Sequence, residues 1–70
     1  MDARSQFAQN LRQARLATGM SQEALGDACG LHRTEVSLLE RARRDPQLAT
    51  IVRLARGLKV APADLLAGIK

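Results

Sequence analysis

Ser21-Gln22-Glu23-Ala24-Leu25-Gly26-Asp27-Ala28-Cys29-Gly30-Leu31-His32-Arg33-Thr34-Glu35-Val36-Ser37-Leu38-Leu39-Glu40 reads as two short amphipathic helices joined at a glycine. Ser21 is a good N-cap, and Glu23, just inside the helix start, suits the positive end of the helix dipole. Leu25, Ala28 and Cys29 fall at i, i+3 and i+4 and form one apolar face. Gly30 can take the left-handed conformation that ends the helix. Leu31 then plugs inward, and Val36 and Leu39 supply the buried face of a second helix. Two helices joined this tightly are the sequence form of a helix-turn-helix. The polar residues left outside the second helix, His32, Arg33, Thr34, Ser37 and Arg41, are types that can touch DNA.

Outward from this stretch the apolar spacing continues to read as helix. A first helix is expected from about Ala3 or Ser5 to Ala17, with Phe7, Leu11 and Ala14 toward the core and Gln9, Arg12 and Gln13 outside. Thr18-Gly19 ends it, and Met20 is placed as a hydrophobic staple before the Ser21 cap. Arg41 to Pro46 is the one charged, turn-forming segment. Pro46 then opens a helix expected to run to about Leu58, with Ile51, Leu54, Ala55 and Leu58 inside and Arg53 and Arg56 outside. A short last helix over Ala61 to Leu66 opens at Pro62 and stops at Gly68. No repeat or linker interrupts the chain, so residues 1–70 form one expected all-α domain, its motif at about 21–40.

Seventy residues lie near the lower limit for a fold carried by a hydrophobic core alone. No sensing or catalytic module fits beside it, so regulation is expected through concentration, dimerisation or a separate partner. The formal net charge of +4 suits a polyanion, although a membrane-surface or merely soluble protein would share it. Its location is more telling: Arg41, Arg43 and Arg44 cluster directly after the second helix of the motif. The single cysteine, Cys29, forms no intramolecular disulfide and reads as a small core residue. Cys29 and His32 together are no recognisable ligand set, so neither metal nor cofactor is expected. No apolar run reaches the roughly 20 residues that span a bilayer, and the N-terminus lacks a signal-like apolar region; a cytoplasmic location without membrane contact follows as the expectation. Phe7 is the sole aromatic residue, which disfavours recognition of single strands by stacking and points to double-stranded DNA. A lone histidine and the absence of a glycine-rich phosphate loop leave nothing from which to build an enzyme.

Ser21-Gln22-Glu23-Ala24-Leu25, Gly30, Val36-Ser37-Leu38-Leu39-Glu40-Arg41 and Pro46 together resemble the Cro/C1-type (XRE-like) helix-turn-helix family, from about Phe7 to Leu66. The resemblance implies a five-helix, lambda-repressor-like DNA-binding domain, commonly a bacterial or phage transcriptional regulator acting as a homodimer. It also implies that Arg15 and Glu40 form a partly buried structural ion pair between the first and third helices, and that Gln22 braces a backbone phosphate. Three positions depart from the family pattern. His32 stands where Ser or Thr often caps the third helix, so Thr34 or a water is expected to cover the free amides, unless stability is given up there. Gly26 replaces a preferred Ala, and Ala42 replaces a frequent Gly, which is expected to let the third helix run a residue or two further.

Base contacts are expected from the first turns of the third helix. Arg33 can donate two hydrogen bonds to guanine O6 and N7. Thr34 and Leu38 can set methyl groups against thymine, Ser37 can reach base or backbone, and His32 lies near the DNA. Arg12, Gln22, Arg41, Arg43 and Arg44 are the phosphate candidates, not all of which need grip. Val52, Val60, Leu65, Leu66 and Ile69 are candidates for the homodimer interface, with the alternative that Leu65 and Leu66 only close the monomer core. Two readings follow: a homodimeric transcriptional regulator at an operator or promoter, or an antitoxin-like module that binds a protein partner and touches DNA secondarily. Leu38, Val52, Val60 and Ile69 would serve either.

Overall fold

The computed structural model describes residues 1–70, which form five helices: α1 Ala3–Thr18, α2 Gln22–Cys29, α3 Arg33–Glu40, α4 Leu48–Leu58 and α5 Pro62–Leu65. Helix α1 starts at Asp2, whose carboxylate accepts the Ser5 N–H at 2.8 Å, and that bond holds the Asp2 carboxyl below the usual carboxylate range. Ser21 caps α2 in the same way, its hydroxyl accepting the Ala24 N–H at 3.0 Å. Gly30, with φ 70°, closes α2 in the left-handed conformation, and the chain enters α3 after only Leu31 and His32.

The core is aliphatic around one ring. Phe7 and Leu11 of α1, Leu25 of α2, Val36 and Leu39 of α3 and Leu54 of α4 are all fully buried. Ile51, Ala55 and Leu58 complete the expected inner stripe of α4. Ala14, Met20 and Leu31 pack against this cluster half-buried, consistent with Met20 as a staple. Ala28, expected on the inner face of α2, is exposed, while Gly26 is buried in its place. The reason is a close approach: a Cβ at Gly26 would lie 2.6 Å from the Leu31 carbonyl oxygen, so the turn folds back onto a surface that only glycine leaves free. A second close approach joins α2 to α4, where a Cβ at Gly57 would overlap the Cys29 sulfur. Cys29 is a free, buried thiol, and burial pushes its pKa up.

Two expectations at the α3–α4 junction are corrected. Ala42 does not prolong α3: it takes φ 56°, and α3 ends at Glu40. The left-handed turn lets the Ala42 N–H reach the Leu39 carbonyl at 3.2 Å and the Arg43 N–H reach the Leu38 carbonyl at 2.9 Å, bonds that offset the residue's reluctance to be left-handed. Helix α4 begins at Leu48 rather than Pro46. Proline disfavours helical geometry in the residue before it, and that residue, Asp45, is tied to Arg4 at the start of α1 by bonds of 2.7 and 3.2 Å. Gln47 is still extended, so only its carbonyl opens the helix, accepting the Ile51 N–H at 3.0 Å.

Helix α5 is one short turn, and the chain beyond it is fastened to α1 by Asn10. The Asn10 amide nitrogen donates to the carbonyls of Leu65 at 3.0 Å and Ala67 at 2.8 Å, while its oxygen accepts from Gln6 at 2.9 Å.

Candidate nucleic-acid interface

Helix α3 is held in place from behind by an ion pair that shields its charges from water. Arg15 of α1 meets the Glu40 carboxylate through two bonds, Nε to Oε2 at 2.6 Å and Nη2 to Oε1 at 3.0 Å. Its remaining Nη1 donates to the Met20 carbonyl at 3.0 Å. The two side chains are only 11% and 3% exposed, and the hydrogen bond from Arg15 to Glu40 raises the already high guanidinium pKa. Gln22, at the first position of α2, donates from Nε2 to Glu40 Oε1 at 3.2 Å. One carboxylate therefore locks three helices together, and the half-buried Gln22 has one amide proton already engaged.

The opposite side of α3 is polar and open. His32, Arg33 and Thr34 are all exposed on its first turn. The His32 ring caps the helix itself, Nδ1 accepting the Thr34 N–H at 3.0 Å, so the free amide is covered neither by Thr34's side chain nor by a surrender of the cap. Accepting at Nδ1 places the proton of the neutral ring on Nε2, which leaves an N–H donor pointing away from the cap. Arg33 is 67% exposed and touches Glu23 only at 3.7 Å, too long to commit its fork of donors. Ser37 and Leu38, one turn on, are half-buried.

Of the cations expected around this helix, Arg12, Arg41 and Arg43 are exposed and carry no ion pair. Arg41 donates from Nε to the Ser37 carbonyl at 3.4 Å. Arg44 differs: it is paired with Glu35. The sequence reading missed that pair, the Arg4–Asp45 bridge and the Asn10 clamp, each of which joins positions without any short-range pattern. Among the dimer candidates Leu65 takes its alternative role: at 1% exposure it closes the monomer core and offers no surface to a second copy. Leu66 is exposed, whereas Val52, Val60 and Ile69 are half-buried.

This geometry, a buried brace behind α3 and an open cationic turn in front, agrees with the comparison to known families. Residues 6–67 match the model of a helix-turn-helix domain. The chain belongs to the Cro/C1-type helix-turn-helix family. It is thereby a member of a family of DNA-binding transcriptional regulators, which is not an enzyme class. Over 61 residues it is 46% identical to the control protein C.BamHI of Bacillus amyloliquefaciens, covering 86% of this chain and 75% of that protein. Among solved structures it resembles the restriction-modification controller protein C.AhdI of Aeromonas hydrophila at 41% identity and TM-score 0.85, covering 87% of this chain and 92% of that one. The hypothetical transcription factor NHTF from Neisseria gives 45% identity and TM-score 0.89, with 93% and 75% covered. No helix of this family member is long and apolar enough to cross a membrane.

Proposed function

We propose that the protein is a homodimeric, sequence-specific binder of duplex DNA that regulates transcription by occupying an operator or promoter. The observation that carries this reading is the open first turn of α3, with His32, Arg33 and Thr34 all exposed while Arg15 and Glu40 hold the helix from behind. In the major groove the Arg33 fork matches guanine O6 and N7, and Thr34 offers a methyl group to thymine. The Nε2–H of His32 is a donor for a base or phosphate acceptor. Ser37 and Leu38 reach the DNA only through their exposed edges. Arg12, Arg41 and Arg43 are free to neutralise phosphates, and the second amide proton of Gln22 remains for one more.

One recognition helix gives few contacts, so two copies related by a twofold axis are proposed to read two half-sites about one helical turn apart. Leu66, with the exposed edges of Val52, Val60 and Ile69, is the surface assigned to that contact. Similarity to C.BamHI and C.AhdI favours, within this reading, control of the genes of a restriction-modification system.

Footprinting of the DNA upstream of the protein's own gene tests the proposal. A protected, twofold-symmetric site is expected, with affinity falling on the order of a thousandfold between 50 and 200 mM salt for roughly six phosphate contacts. Arg33→Ala should cost about 1 to 3 kcal/mol per half-site and flatten discrimination at one base, whereas Arg43→Ala should weaken all sequences alike. A nearly flat salt titration sinks the DNA reading, and equal losses on cognate and scrambled duplexes remove Arg33 from the base-reading role.

A further inference from the structure

Glu35 is the one acidic residue that α3 carries in its first turn, and it is not idle. The left-handed Ala42 turns the chain back along α3, which brings Arg44 beside a carboxylate nine residues earlier. Arg44 Nη1 donates to Glu35 Oε1, and the pair is lopsided: the Glu35 side chain is 24% exposed and that of Arg44 52%. The acid is thus the more shielded member of the pair and the guanidinium the more open one. Both line a polar depression that His32 also lines, so the pair sits at the exposed end of α3 rather than behind it. The other acid lining that depression, Asp45, has both carboxylate oxygens engaged by Arg4, at 2.7 and 3.2 Å. Arg43, the neighbouring residue, has no carboxylate partner at all.

We propose that Glu35 sets DNA affinity by competing with backbone phosphate for Arg44. The inference rests on the DNA-binding reading above. Glu35 engages Arg44 through Nη1, and a phosphate brought to the same guanidinium is repelled by that carboxylate at close range, so it gains the full attraction of Arg44 only as Glu35 gives it up. Opening the pair lowers the affinity of every duplex by the strength of the pair. Arg43 meets no such competitor and grips without it.

A double-mutant cycle separates this competition from the general repulsion of an acid by DNA. Binding to a mixed-sequence duplex of about two helical turns is measured at low salt for the full chain and for Glu35→Gln, Arg44→Gln and their combination. Long-range repulsion between Glu35 and DNA is present with or without Arg44, so it cancels in the cycle. The gain in affinity from Glu35→Gln should be about two- to fivefold larger per protomer with Arg44 present than with Arg44→Gln, as expected for a partly exposed pair. The matching cycle with Arg43→Gln should give equal gains in both backgrounds. Equal gains in the Arg44 cycle, the same excess in the Arg43 cycle, or a loss on Glu35→Gln only when Arg44 is present each overturn the proposal. The absence of salt-sensitive binding by the unaltered chain overturns the DNA reading itself, and the competition with it. Circular dichroism of every variant verifies folding, and Glu35→Ala replaces Glu35→Gln should the latter fail to fold.

Discussion

Arg15→Met is the substitution from which the structure draws the sharpest consequence. It removes two bonds to Glu40, at 2.6 and 3.0 Å, and one to the Met20 carbonyl, and leaves a carboxylate that is 3% exposed. Breaking a buried pair from one side costs about 3 to 5 kcal/mol. Here Glu40 keeps the Gln22 amide at 3.2 Å, which places the expected loss near the lower end, about 3 kcal/mol. Domains have about 0.05 to 0.15 kcal/mol of stability per residue, so the 70 residues of this chain have about 3.5 to 10 kcal/mol in all. At about 4 to 8 °C per kcal/mol for a domain of this size, the midpoint should drop by at least about 12 °C. Urea unfolding followed by far-ultraviolet circular dichroism measures both the loss and, through the slope, whether the folded state has loosened. The double variant Arg15→Met with Glu40→Leu strands no charge and should return to within about 1 kcal/mol of the natural chain. If the single variant loses less than about 1 kcal/mol, or the double is as weak as the single, the pair does not act as described.

Gly26→Ala should destabilise by about 1 to 3 kcal/mol although alanine is the better helix former, because the new Cβ meets the Leu31 carbonyl; a stabilised variant in urea unfolding refutes the close approach. Ala42→Gly should raise stability by about 0.5 to 1 kcal/mol, relief of the left-handed alanine outweighing the added freedom of the unfolded chain, with the urea slope unchanged. The Arg4 guanidinium hydrogen-bonded to Asp45 holds that carboxyl below its ordinary value of 3.8. A depressed folded pKa means the Asp45 contribution is present above the ordinary value and is lost as pH falls through the folded one. Asp45→Asn should therefore lower stability slightly at neutral pH, leave it unchanged once the pH is below the folded value, and so flatten the acid side of the profile, a result read by thermal melts from neutral pH into the acid range.

The helix-turn-helix and most of the core were legible because they are written in short-range signals. Ser21, Gly30, Val36 and Leu39 each act within one or two turns, and the i, i+3, i+4 rule needs no knowledge of the rest of the chain. Ile51, Leu54, Ala55 and Leu58 were equally plain. What stayed hidden depends on parts far apart in sequence. Arg4 and Asp45 are 41 positions apart, and Asn10 reaches carbonyls 55 and 57 positions away. Leu65 sits in a helix of four residues, too short to show which face is inside, so it read equally well as interface or core. At Ala42 intrinsic preference argues against a conformation that the backbone bonds closing α3 nevertheless favour. At His32 the residue type was set against the usual hydroxyl caps, yet a ring nitrogen can accept the same N–H.

The contact of Cys29 with Gly57 has a consequence for how such a chain can change over generations. No room exists for a side chain at position 57 while sulfur occupies position 29, so the seating of α2 on α4 rests on an empty place. A side chain gained there first meets the thiol, which must shift to admit it. A thiol first shortened to alanine opens space, after which a methyl group at position 57 becomes acceptable. The order of the two steps therefore sets the strain met on the way, and the pair should vary together among descendants, with bulk exchanged across the gap rather than added to both sides.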